Sequence, residues 1–205
     1  MANVSAVILA SVAAAPGAAA PPAADPAARR SLRARWSSGP LGRAIATLDV
    51  RLFGLLRQHG HDPALEQPIR RFSSLGEHAA LWLAIGATGA AVDASRRERW
   101  LRAAGAVLAA YVLNTLLKLV VRRKRPHLDK LPALISTPTS LSFPSAHASS
   151  SFAAARAYAP LLPAGPLYAV ATAMALSRVY LGVHYPSDIA AGALLGTAVG
   201  AAGRR

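Results

Sequence analysis

The sequence predicts an all-α integral membrane bundle, with about five transmembrane helices and an N-terminal interfacial amphipathic helix. Three observations predict it. Hydrophobic residues make up 53% of the 205-residue chain and charged residues only 16%, too apolar for disorder and unusual for a water-soluble domain. The apolar residues come in long uncharged runs, over 79–92, 103–117, 157–177 and 189–203. Runs approaching about 20 residues are bilayer-spanning length, and a spanning segment with its backbone satisfied internally is a helix. Short segments rich in proline, glycine and charge separate the runs, as connectors between antiparallel helices do.

The chain divides into a tail over 1–40 and a membrane-embedded domain over 41–205, whose core is 74–203. Residues 1–28 are rich in alanine and proline. They read as a flexible tail rather than a signal peptide, because the charged leading region of a signal is missing. RRSLRAR at 29–35 suits anionic headgroups. Residues 41–58 place Leu41, Ile45, Leu48, Leu52, Leu55 and Leu56 at helical spacing. Arg43, Asp49, Arg51 and Arg57 interrupt any spanning run there, which predicts a helix lying in the interface. HGHDP at 59–63 breaks it. Spanning helices are expected over about 74–92, 101–121, 146–160, 164–182 and 187–203, with GVHYP joining the last two.

The formal charge is +14. Such a balance points to nucleic acid, an anionic membrane surface or an anionic substrate. Aromatic residues are few and do not interleave with the basic runs, which argues against a nucleic-acid platform. The absence of cysteine excludes disulfide and thiol chemistry. Arginine supplies 20 of the 23 basic residues.

Ionisable residues in spanning helices are costly, so each needs a reason. Lys118 lies near the end of the second helix, and Arg125 follows seven residues later, just before Pro126. If the helix continues, the two cations stack on one face and hold an anion; the alternative is a lysine that snorkels to the interface. In FPSAHASSS, Pro144 precedes a helix, Ser145 is a candidate N-cap, Ala146 follows, and His147 stands in the first turn. Free N–H groups at such an end bind phosphate; the alternative is a capping serine beside an incidental histidine. In SRVYLGVHYPSD, Pro186 starts a helix and places Asp188 in its first turn, with His184 just before it. Asp188 there can orient His184 and leave one ring nitrogen free as a nucleophile. The alternative is an ion pair between Arg178 and Asp188. Alternating helices bring all three clusters to one membrane face. Three cations, two histidines, a carboxylate and a serine together suit phosphoryl transfer, in which fixed donors hold the charged oxygens. Glu77 and His78 read as interfacial, and Arg122, Arg123 and Lys124 as a solvated basic run.

These three stretches resemble the signature motifs of the type 2 phosphatidic acid phosphatase superfamily, whose site vanadium haloperoxidases share. The resemblance rests on Lys118 with Arg125 and Pro126, on Pro144 to His147, and on Ser177 and Arg178 with His184 and Asp188. It covers roughly residues 74–203. One departure is Ala146, where the family usually has glycine. The resemblance implies that His184 attacks phosphorus, Asp188 orients it, and His147 protonates the departing alkoxide. Lys118, Arg125, Ser145, Ala146 and Arg178 form the phosphate-binding set, with no metal and no cofactor. The implied partner is a lipid phosphate within a multi-pass bacterial plasma membrane. Its LSFPSAH wording resembles actinobacterial members acting on polyprenyl-phosphoribose in cell-wall assembly. A phosphatidate or phosphatidylglycerophosphate phosphatase, a haloperoxidase and a non-catalytic lipid-phosphate-binding protein are the competing readings.

Overall fold

The computed structural model describes residues 39–127 and 131–203, all within one unit, Ser37–Arg205. The expected tail up to residue 38, with its basic run at 29–35, and Lys130 lie outside the described residues, and the last tail position, Pro40, already opens a helix. The described chain is helical: α1 Pro40–His59, α2 Pro63–Ser74, α3 Ala80–Val92, α4 Arg97–Val121, α5 Ala146–Tyr158, α6 Ala164–Tyr180 and α7 Pro186–Ala202. Short 3₁₀ turns at Glu77–Ala79 and Ala94–Arg96 lead into α3 and α4. The only pairing of strand type among the described residues is an isolated bridge between Lys124 and Leu141.

Local chemistry accounts for the ends. Pro40, Pro63 and Pro186 open their helices, where a missing N–H and a fixed φ cost nothing. Asp62 caps α2 by accepting from the Ala64 N–H at 2.9 Å. Arg122 closes α4 in the left-handed conformation, φ 52°, and its N–H returns to the Lys118 carbonyl at 2.9 Å. Among the described residues, one helical stretch, Ala94–Val121, is both long and apolar enough to cross a bilayer by itself. The expected helices at 101–121, 146–160, 164–182 and 187–203 correspond to α4 to α7. The first, expected from residue 74, starts only at Ala80. His78 and Ala79 carry positive φ, 53° and 61°, which breaks the path between α2 and α3. Helix α2 itself was not expected, because Pro68 sits inside it and its hydrophobic residues are sparse.

The leucine stripe of α1 is its outer face. Leu41, Leu48, Leu55 and Leu56 are exposed, while Asp49, Phe53 and Arg57, at fourfold spacing, face α6 and α7. Arg57 donates to the Tyr180 carbonyl at 2.7 Å and the Pro132 carbonyl at 2.9 Å, tying α1 to the end of α6 and to the loop before α5. Packing is tightest between α5 and α7. Gly192, Gly196 and Gly200 line the α7 face there, and a methyl group on Gly196 would lie 2.1 Å from the Ser149 carbonyl oxygen. Backbones approach this closely only where side chains are absent. The aromatic core, Trp82, Trp100 and Tyr158, lies among α3, α4 and α5. Trp100 and Lys118 sit near opposite ends of α4, about 27 Å apart along it, so the core occupies one end of the bundle and the polar residues the other.

Candidate active site

Five helix ends and two loops meet at that polar end. The last turn of α4 carries Lys118. Its ammonium does not reach outward; it donates to the Ser142 carbonyl at 3.1 Å and approaches the Leu141 carbonyl at 3.5 Å. Arg125 does not lie on a continuing helix, contrary to the stacking that its spacing suggested. The left-handed Arg122 turns the chain away, and Arg125 is held in a loop by its N–H to Ser140 O at 3.1 Å and its Nε to Thr139 O at 2.9 Å. From there its Nη1 donates to the Val183 carbonyl at 2.7 Å and to His184 Nε2 at 3.2 Å.

His184 follows the turn closed by Gly182, whose φ of +78° suits glycine. The histidine is buried. Since Nε2 accepts from Arg125, its ring proton sits on Nδ1, which faces Asp188 Oδ2 at 3.4 Å. That is ion-pair range; Nδ1 has no aligned hydrogen-bond partner. Asp188, in the first turn of α7, is fully buried, and its Oδ2 also accepts from the Tyr185 N–H at 2.9 Å. Burial first, then the facing Arg125, Lys118 and Arg178, hold His184 well below the usual histidine range. Both effects favour the neutral ring, whose Nε2 lone pair is turned to Arg125. Burial lowers Arg125 to about 10, with Asp188 opposing, so it stays cationic at neutral pH.

Ser145 caps α5 as expected, accepting from the Ala148 N–H at 3.4 Å, and its own N–H donates to the Asp188 carbonyl at 3.0 Å. Ala146 occupies the first position of α5 and is not among the positive-φ residues, so the methyl that replaces glycine meets no backbone penalty. His147 Nε2–H donates to the Ser73 carbonyl at 3.0 Å. Arg178 is not paired with Asp188. Its Nη1 donates to the Ser73 hydroxyl at 2.7 Å, and its Nε is buried without a partner. Ser73, at the end of α2, therefore joins the histidine of one motif to the arginine of another; nothing in its local sequence marked it.

Arg123 corrects the reading of a solvated basic run. Its Nη1 donates to Asp188 Oδ1 at 2.9 Å and to Ser187 Oγ at 2.7 Å. Its Nη2 donates to Asp49 Oδ2 at 2.7 Å, and its guanidinium lies 4.2 Å from the Tyr185 ring centre. His78, read as interfacial, makes a 2.9 Å hydrogen bond between its Nδ1 and the Tyr111 hydroxyl.

An all-helical bundle with a polar end of this composition defines a class, the phosphoric ester hydrolases that act on lipids. Residues 99–205 match the model of the PAP2 superfamily, and the chain belongs to that family. It is 43% identical over 143 residues to a decaprenylphosphoryl-5-phosphoribose phosphatase of Mycobacterium tuberculosis, covering 68% of this chain and 78% of that protein. The protein of that name from Mycolicibacterium smegmatis is 39% identical over 132 residues, with 63% and 72% covered. Two crystal structures share the fold. Aquifex aeolicus LpxE superposes with a TM-score of 0.61 at 22% identity, over 76% of this chain and 94% of that one. A transmembrane PAP2-type phosphatidylglycerolphosphate phosphatase from Bacillus subtilis gives 0.65 at 21%, over 87% and 93%.

Proposed function

We propose that this protein removes the terminal phosphate from a polyprenyl-linked phosphosugar lipid of the cell envelope, through a phosphohistidine on His184. The substrate class is supported by the names of the mycobacterial relatives. The mechanism is supported above all by one contact: Arg125 Nη1 donates to His184 Nε2 at 3.2 Å, so a cation and a nucleophile address the same point. A phosphate oxygen bound by Arg125 sets phosphorus beside the Nε2 lone pair.

In the proposed reaction Nε2 forms an N–P bond while the ester P–O bond breaks. Asp188 faces Nδ1 at 3.4 Å and offsets the charge that the ring acquires. Beside the bound phosphate dianion His147 takes up a proton on Nδ1, its Nε2–H staying on the Ser73 carbonyl, and passes that proton to the departing alkoxide as the ester P–O bond breaks. Water then attacks phosphorus, its proton passes to His147, and the N–P bond breaks to release inorganic phosphate. Lys118, Arg125, Arg178 with its free Nε, Ser145 and the N–H of Ala146 hold the three oxygens, so fixed cations supply the charge a metal otherwise would. The lipid tail stays in the bilayer while the headgroup enters at the polar end. Outward leucines on α1 fit a multi-pass plasma-membrane protein in which α3 to α7 cross the bilayer and α1 lies against them at its surface.

A phosphate-release screen in EDTA, over polyprenyl phosphosugars, polyprenyl phosphates and glycerol lipid phosphates, tests the reading. Turnover is expected on the first class, with acid-labile phosphate trapped on wild-type protein and absent from His184→Ala. Full activity of His184→Ala overturns the mechanism; preference for glycerol lipids overturns the substrate.

A further inference from the structure

We infer that Arg123 and Asp49 are positioning residues for the His184–Asp188 pair, which makes α1 part of the catalytic apparatus; the inference rests on the phosphatase reading above. Asp49 and Asp188 are 2% and 0% exposed, and the one guanidinium of Arg123 bridges them at 2.7 and 2.9 Å. The bridge fixes which oxygen of Asp188 does what. Arg123 occupies Oδ1, so Oδ2 is left to the Tyr185 N–H and to His184 Nδ1. The Tyr185 ring against the guanidinium and Ser187, which takes a hydrogen bond from Arg123 and gives one to Asp49, hold the arginine in plane.

Charge explains why a second carboxylate is needed. Arg123 alone would neutralise Asp188 and leave the histidine ring without a counter-charge as it becomes cationic. With Asp49 sharing the arginine, the trio keeps one net negative charge, directed at Nδ1. Asp49 also accepts the Ser187 N–H at 2.9 Å, so it fastens the first turn of α7 to α1. Asp49 lies before the stretch that the family model matches, on a helix whose outer face is leucine.

The test uses the full chain in detergent, with kcat and KM measured on polyprenyl phosphosugar and normalised to monodisperse protein. Arg123→Ala is expected to lower kcat about 100-fold, and the near-isosteric Asp49→Asn about 10-fold, the range typical of residues that orient a reacting group. KM should change little, since neither side chain touches substrate. Added guanidinium ion should restore part of the kcat of Arg123→Ala and none of that of His184→Ala, a response that a purely structural role does not give. Wild-type kcat in Asp49→Asn, or no guanidinium rescue in folded Arg123→Ala, overturns the inference. If Arg123→Ala does not fold, Asp49→Asn alone decides through its kcat. His184→Ala separates the two levels. An active His184→Ala sinks the phosphatase mechanism, whereas an inactive one beside fully active Asp49→Asn sinks only the positioning role.

Discussion

Replacing Gly196 with alanine should damage catalysis from a position deep in a helix interface. The added methyl would lie 2.1 Å from the Ser149 carbonyl oxygen and 2.9 Å from the Ala153 nitrogen. A relaxed carbon–oxygen contact is about 3.4 Å, and both neighbours are backbone, so α5 and α7 must part by roughly 1 Å. Helix α5 carries Ser145 and His147, and α7 carries Asp188. Parting them therefore shifts His147, the proposed proton donor, away from Asp188 and the histidine it faces. Overpacking of this kind costs about 1–3 kcal/mol, about 2–12 °C in melting temperature for a chain of this size. A displacement near 1 Å costs turnover on the order of 100-fold. Gly105→Ala is the control. It lies in α4 with open space around the added methyl, so helix propensity should leave the protein unchanged or stabilised by about 0.5–1 kcal/mol. Phosphate release and thermal unfolding are read on both variants in one detergent. Wild-type turnover and melting temperature in Gly196→Ala refute the geometric argument.

Lys118→Met keeps the apolar stem and removes the charge that faces Ser142 and Leu141. It should lower turnover roughly 30- to 1000-fold, about 2–4 kcal/mol, and Lys118→Arg should be impaired too, because a planar guanidinium does not fit the space of an ammonium; near-full activity of both variants would restore the snorkelling reading. Activity should survive excess EDTA and be inhibited by vanadate, which adopts the geometry of the transition state; loss on chelation with recovery on magnesium would count against the mechanism. The depressed His184 fixes a sign for stability. The unfolded chain protonates this histidine below about pH 6.5 and the folded chain does not, so its contribution is level above that pH and increasingly destabilising as pH falls. The melting temperature of His184→Gln, relative to wild type, should therefore rise between pH 7.5 and 5. A difference that stays constant with pH refutes the assignment.

The residues that carry charge at helix ends were legible because their cost in an apolar segment makes them conspicuous. Pro186 and the cap at Ser145 placed Asp188 and His147 correctly, since both signals act within one turn. Arg123 was not legible. It stands between Arg122 and Lys124, and composition cannot say which of three neighbouring cations turns inward; the left-handed Arg122 and the Asp49 carboxylate on another helix decide it. Asp49 had been visible only as an interruption in a leucine pattern. In lipid the interruption is the buried face and the pattern is the outside, the reverse of the arrangement in water. Ser73 failed to register because serine is common and its partners, His147, Ser177 and Arg178, come from α5 and α6. The fourfold spacing of Gly192, Gly196 and Gly200 was present in the sequence, and small residues at that interval mark close helix contact.

The hydrogen bond from Arg125 to His184 Nε2 bears on what the idle enzyme does. A neutral imidazole with an exposed lone pair is a general nucleophile, open to any electrophile that diffuses into the site. Here the lone pair is engaged until something draws the guanidinium off it. On the proposed mechanism a ligand with anionic oxygens competes for that arginine, so anion capture and release of the nucleophile become one event. Selectivity for phosphate would then be exercised before any bond is made, by a latch whose key is negative charge. Inorganic phosphate would fit the same latch, which on that mechanism makes the product of each turnover a competitor for the next.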